Sequence, residues 1–201
     1  MTNDLHAFLR SRRSIRRFRP EPIPESVLKR ILETATYAPS AHDKQPWRFM
    51  VLASAKAKSI LAKTVTDKFR LDLVNDGVAD DEIQKSIDLT IRRVNEAPVI
   101  VILCKDTKQV NLQPDAIRQQ AEVIMGTQSV ALSGLQLLLA AHSEGLGATW
   151  ICWPLFAVEE IQSALALPPN WEPQGMIFLG YPAEQPVTPD REPLEEIVQY
   201  L

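Results

Sequence analysis

Cysteine and histidine are scarce in this chain, with two and three among 201 residues. His6, His42 and His142 lie far apart, without the short regular spacing of metal ligands, so no metal centre is expected. Cys104, in "VIVILCK", and Cys152, in "ATWICW", both sit in apolar runs. The expectation is two buried free thiols, no disulfide framework and a cytoplasmic location. Glycine is sparse too, at seven. Gly145 and Gly147 form a bare Gly-x-Gly with no strand before it, which excludes a Rossmann turn. There is no P-loop, no Gly-x-Ser-x-Gly elbow and no legible Cys–His pair, so no side chain stands out as a nucleophile. Uninterrupted apolar runs fall short of the roughly 18 residues of a membrane span. "MTNDLHAFLR" has no apolar signal core, and export is not expected.

What is present is ordinary in bulk and unusual in one place. A hydrophobic fraction of 45% with 23% charged residues suits a soluble globular protein. The length predicts one domain, 1–201, that buries roughly 70% of its unfolded surface. With 22 basic and 25 acidic residues the net charge is −3, which argues against nucleic acid or a membrane surface as partner. Yet "LRSRRSIRRFRP" carries six arginines between Arg10 and Arg19; without them the balance is 16 to 25, or −9. An anionic chain concentrates cations at one point.

No repeat, low-complexity tract or interdomain linker interrupts the chain. Apolar spacing predicts helices over 4–11 and, behind Pro24, along "PESVLKRILETATYA". Strands are predicted at 47–53, 98–104, 147–152 and 175–182, with charged helices at 55–75 and 80–95. "RQQAEVIMGTQSVALSGLQLLLAAHSEG" reads as a long helix without a polar face, which must be buried on most sides. Its small residues, Gly126, Ser129, Ala131, Ser133, Gly134 and Ala140, suit close approach by a subunit partner or ordinary core packing. Prolines at 182, 186, 189 and 193 exclude helix before Pro193, so the tail should wrap over another surface. Helices and strands alternate without βαβ runs, which makes the fold class α+β.

In "RRSIRRF", Ile15 and Phe18 can face inward while Arg12, Ser14 and Arg16 stand together on the other side. Guanidinium forks fit phosphate oxygens bidentately, and each charge-assisted bond contributes about 1.5–3 kcal/mol. A solvated charged face is the alternative. "YAPSAHDKQPWRF" places a polar loop between helix and strand, either a plain Pro/Ser/Asp turn or a ligand-binding loop.

Read in order, "RRSIRRF", "APSAHDKQPWRF", "GLGATWICWP" and "GYP" followed by "DREPLEEIV" resemble the nitroreductase family of flavoproteins. "EGLGATWI" and "LPPNWEPQGMIFLGYP" are most similar to the subgroup containing the flavin-binding carboxy-terminal domain of the deazaflavin-coenzyme glutamyl ligase. The ligase's other catalytic domain is absent, so ligation is not implied.

The resemblance implies a nitroreductase-like fold, a central, mostly antiparallel sheet flanked by helices with a long buried central helix. It implies FMN held at the interface of a homodimer. Arg12, Arg13, Ser14 and Arg16 would hold the phosphate, ribityl chain and pyrimidine end, and Arg191 would give a second phosphate contact. Pro39, Ser40, Ala41 and Gln45 would come from the partner subunit. The turn at Cys152 and Trp153 would offer backbone donors near the hydride-accepting edge. Here Cys-Trp-Pro replaces the acidic residue and glycine of many relatives, and His-Asp-Lys stands where an asparagine is common. Trp150, Trp153 and Phe156 either shape the pocket or belong to the core.

The implied activity is ping-pong hydride transfer from NAD(P)H through flavin to a small electron-poor acceptor such as a nitroaromatic or quinone. No catalytic side chain is required, because the cofactor carries the electrons. The alternatives are a specialised flavin- or deazaflavin-linked biosynthetic enzyme, and a non-catalytic phospholigand-binding module.

Overall fold

A computed structural model describes residues 4–201. The apolar, β-rich runs form β1 (Trp47–Leu52), β2 (Val99–Asp106), β3 (Gly147–Ile151) and β4 (Trp171–Gly180). They make one sheet in the order β1-β2-β4-β3, antiparallel at every named pairing. All eight residues of β2 are buried, so both faces of the sheet must be covered.

Seven helices supply the cover among the described residues: α1 (Leu5–Ser11), α2 (Glu25–Ala35), α3 (Ala55–Asn75), α4 (Asp80–Glu96), α5 (Ala116–Ser143), α6 (Val158–Ala164) and α7 (Leu194–Ile197). Alternate strand residues point to opposite layers. Val99, Val101, Leu103, Ile177 and Leu179 pack against α2 and α5. Ile100, Ile102, Cys104, Met176 and Phe178 pack against α3, α4 and α6. The result is a three-layer α+β sandwich with the expected antiparallel sheet.

The differences from the sequence reading have local causes. β4 starts at Trp171, ahead of the expected 175, and so contains Pro173. Pro173 lies beyond the end of β3, which reaches β4 only as far as Met176, and beside the bulge at Leu103/Cys104, where a missing N–H is tolerated. The short α6 went unpredicted, although α1, also of seven residues, was expected. Cys104 is buried, and burial pushes its thiol up to about 12. Cys152 is exposed, against expectation, because β3 ends at Ile151 and the chain turns outward there.

Helix α5 departs further. Its composition is apolar enough over 18 residues to cross a membrane, although no uninterrupted run is. Glycines and small polar residues break the run without making the helix polar. Most of the small residues serve packing within the chain. A Cβ on Gly134 would stand 2.1 Å from the Trp150 ring. Ser133 Oγ donates to the Ala35 carbonyl at 2.9 Å, and Ser129 Oγ receives the Ala41 N–H at 3.1 Å. The opposite side is uncovered: Ile117, Ile124, Leu132 and Leu135 are 84, 47, 43 and 47% exposed. A row of exposed apolar side chains on one helix is a candidate interaction face.

Candidate functional site

The arginine knot begins where α1 ends. From Arg12 the chain extends beside the free edge of β3: the Ile15 N–H donates to the Ala148 carbonyl at 3.0 Å and Ser14 bridges Ala148 in parallel. Gly147 permits this approach, since a Cβ there would lie 2.7 Å from Ile15. Phe18 pairs with Pro182, and the Arg19 N–H donates to the Tyr181 carbonyl at 2.8 Å. Ile15 is buried and Phe18 packs on the α3/α4 core, so both face inward as expected.

The arginines do not stay together as expected. Glu184, just past β4, accepts the backbone N–H groups of Arg16 at 2.7 Å and Arg17 at 3.2 Å. This carries the tail across the knot and divides it. Arg12 and Arg13 line one hollow of about 500 Å³, whereas Arg16 and Arg17 line an adjoining one of about 760 Å³; Glu184 and Pro186 border both.

In the first hollow Arg13 is spoken for. Its guanidinium donates to the carbonyls of Arg10 and Arg12 at 2.6 and 2.7 Å and to Thr188 Oγ1 at 2.8 Å. Arg12 is half-buried. Burial, followed by the like charges of Arg13 and Arg191, pushes its pKa down, and among the described residues no acceptor offsets them. That also places Arg191, from the exposed tail, within electrostatic reach. His142 on α5 lines the same hollow, stacked on Phe8 at 4.8 Å with Nε2 2.8 Å from Ser11 Oγ. Burial, then Arg12 and Arg13, lower its pKa and keep it neutral near pH 7. A half-buried cation with two more within electrostatic reach, and an imidazole of lowered pKa beside it, makes this hollow a candidate anion site.

The loop residues lie elsewhere in the chain. Ser40 Oγ accepts the Gln45 N–H at 3.0 Å, and Gln45 Nε2 donates to Asp43 Oδ1 at 3.1 Å. His42, Asp43 and Gln45 hold positive φ, of 54, 52 and 47°. Pro39 and Gln45 are exposed, while Ala41 is anchored on Ser129. From Ser129 to His142 is about 20 Å along α5. Within one chain, Pro39, Ser40, Ala41 and Gln45 therefore line neither arginine hollow.

At the far end of β3, Trp153–Phe156 forms a 3-10 turn with Cys152 as its cap. As the first residue of that turn, Trp153 has an N–H without a partner inside it. Its ring stands edge-on to Phe69 at 5.8 Å and Phe178 at 6.1 Å. Trp150 belongs to the α5-side core, with its Nε1–H directed at Cys152 Sγ, 3.2 Å away. Phe156 is exposed.

A family model described as "Nitroreductase family" matches residues 9–181, from the arginine knot to the end of β4. The chain belongs to the nitroreductase family. It is 32% identical, over 96% of its length and 87% of the relative, to a Methanothermobacter thermautotrophicus protein provisionally named NADH dehydrogenase/NAD(P)H nitroreductase. It is 30% identical to an NADH dehydrogenase of Thermus thermophilus, over 93% of this chain and 91% of that one. A Desulfovibrio desulfuricans structure provisionally described as a nitroreductase, in complex with FMN, superposes with a TM-score of 0.77 at 25% identity, covering 100% and 98% of the two chains.

The protein is thus an oxidoreductase enzyme of the nitroreductase type. Several contributors to this nitroreductase's hollows escaped the sequence reading. Glu184 and Thr188 sit in a proline-rich tail with no periodicity, and His142 is distant in sequence from the knot it adjoins. Arg92 and Arg93, in the second hollow, were visible only as surface charge on a helix.

Proposed function

We propose that this protein binds FMN in a homodimer and transfers hydride from NAD(P)H to a small electron-poor acceptor in a ping-pong sequence. The observation that carries the reading is the Arg12 hollow. A half-buried guanidinium lies within electrostatic reach of two further arginines and forms no ion pair among the described residues, an arrangement that a phosphate dianion relieves. When bound, FMN supplies the hydride chemistry, accepting from the nicotinamide and delivering to the acceptor.

The chain's own residues provide position and charge. Arg12 and Arg191 hold the phosphate; Arg13, fixed by Thr188 and two carbonyls, keeps the Arg12 backbone in place. Ser14 and Arg16 continue along the β3 edge, where Arg16 offers a cation to the pyrimidine end. The Trp153 N–H supplies a fixed donor at the end of β3. The loop carrying Pro39, Ser40, Ala41 and Gln45 closes the site from the partner. The uncovered stripe of α5 and the separation of roughly 20 Å within one chain both favour that two-subunit arrangement.

One double variant tests the assignment. Arg12→Ala combined with Arg16→Ala is expected to fold and to lose most FMN, since each charge-assisted contact is worth about tenfold or more in affinity. A folded double variant that holds FMN as tightly as the parent refutes it. The narrower kinship with the deazaflavin-ligase flavin domain rests on "EGLGATWI" and "LPPNWEPQGMIFLGYP". It predicts bleaching of the bound flavin by a reduced deazaflavin and not by NAD(P)H, which a stopped-flow comparison of donors decides. A phospholigand module would bind no chromophore at all.

A further inference from the structure

The second hollow is more cationic than flavin binding requires. Arg16 and Arg17 reach it from the β3 edge, Arg92 and Arg93 from the last turns of α4, against two carboxylates, Glu96 and Glu184. Glu184 is already engaged by the backbone of Arg16 and Arg17. The ion pairs formed by arginines among the described residues involve Arg10, Arg19, Arg30, Arg48 and Arg118, and none of the four that line this hollow. Compensation of the helix dipole accounts for Arg93 in the last turn of α4. It does not account for two more arginines converging from another segment.

The neighbouring surface has a different chemistry. Arg93 and Leu89 also line a hollow of about 420 Å³ walled by Phe69, Trp153 and Phe156. Aromatic faces beside a guanidinium suit a planar heterocycle. Phosphate-binding and ring-binding surfaces are therefore continuous through Arg93, and the aromatic one ends at the turn assigned to the flavin's reactive edge.

We infer that the Arg17–Arg92–Arg93 hollow binds the diphosphate of the nicotinamide dinucleotide donor, one of whose rings lies against Trp153 and Phe156. The inference rests on the proposed function and adds the site that recognises the donor. Arg16 forms the rim shared with the flavin; Arg17, Arg92 and Arg93 lie beyond it. A molecule with a diphosphate between two heterocycles matches both surfaces, whereas a bare phosphate matches only the first.

The test compares the parent with Arg92→Ala/Arg93→Ala and with the charge-keeping Arg92→Lys/Arg93→Lys. FMN uptake is scored first, from the visible spectrum. Inorganic pyrophosphate is then titrated by calorimetry into the FMN-loaded proteins, where the Arg12 hollow is filled, and the steady-state constants for NADPH and NADH are measured. The expected result is parental FMN content in both variants. In the alanine variant, pyrophosphate affinity should fall about tenfold or more and donor KM rise similarly with little change in kcat. The lysine variant should lie between. Equal pyrophosphate binding in all three overturns the site, and lost pyrophosphate binding with an unchanged donor KM overturns the donor assignment. If the parent takes up no FMN, the proposed function fails by itself. The pyrophosphate titration, repeated in an Arg12→Ala background, still reads the α4 arginines.

Discussion

His142 shows how a single side chain senses the empty charge of the Arg12 hollow. Burial and then Arg12 and Arg13 hold its pKa below the ordinary histidine value, so the unfolded chain binds a proton that the folded chain resists. Its contribution is complete above about pH 6.5 and is lost as pH falls toward the depressed folded value. Urea midpoints at pH 7.5 and 5.5 should therefore drop more for the parent than for His142→Gln; equal drops would contradict this. Gly134 is the steric counterpart. Alanine normally favours a helix by about 0.5–1 kcal/mol over glycine, but here the added methyl meets the Trp150 ring. Gly134→Ala is expected to destabilise by about 1–3 kcal/mol in chemical denaturation, and a stabilised variant would show the packing to be looser than described.

Among the elements, α5 is a scaffold on one side and the proposed interface on the other. One side carries the core and fixes Ala35, Ala41 and Trp150; the other leaves Ile117, Ile124, Leu132 and Leu135 exposed. Replacing Leu132 and Leu135 together by glutamate should leave the fold intact, convert a dimer to monomers in sedimentation and release FMN. A double variant that stays dimeric with its flavin would place the interface elsewhere. Element existence was legible because helix and strand periods are strong in this chain: the long helix, both charged helices and all four strands could be read. Short helices were read unevenly: α1 was expected at 4–11, whereas α6, of equal length, was not. Nor could sequence distinguish the two faces of α5, because leucines at a subunit interface and leucines in a core have the same periodicity.

For the whole molecule, the concentration of arginines was legible in the sequence and its division between two hollows was not. A cluster of arginines in an anionic chain leads residue types alone to the expectation of an anion. That Arg12 and Arg16 would line separate hollows depended on Glu184, about 170 residues away, meeting two backbone N–H groups. Long-range polar contacts of this sort leave no local pattern. The same contact brought Arg17 into register with Arg92 and Arg93, two regions with no sequence feature linking them. On the proposed assignments, donor and flavin sites share one border, as a reaction sequence in which two substrates use the cofactor in turn would require.

The central claim is that the knot exists to hold a flavin that a nicotinamide can reduce. The most direct measurement is the visible absorption spectrum of the protein after incubation with FMN and gel filtration, followed by anaerobic addition of NADPH and of NADH. The account predicts a yellow protein that retains flavin in proportion to its chains and bleaches with at least one of the two donors. A colourless protein, or a yellow one that neither donor bleaches, would contradict it.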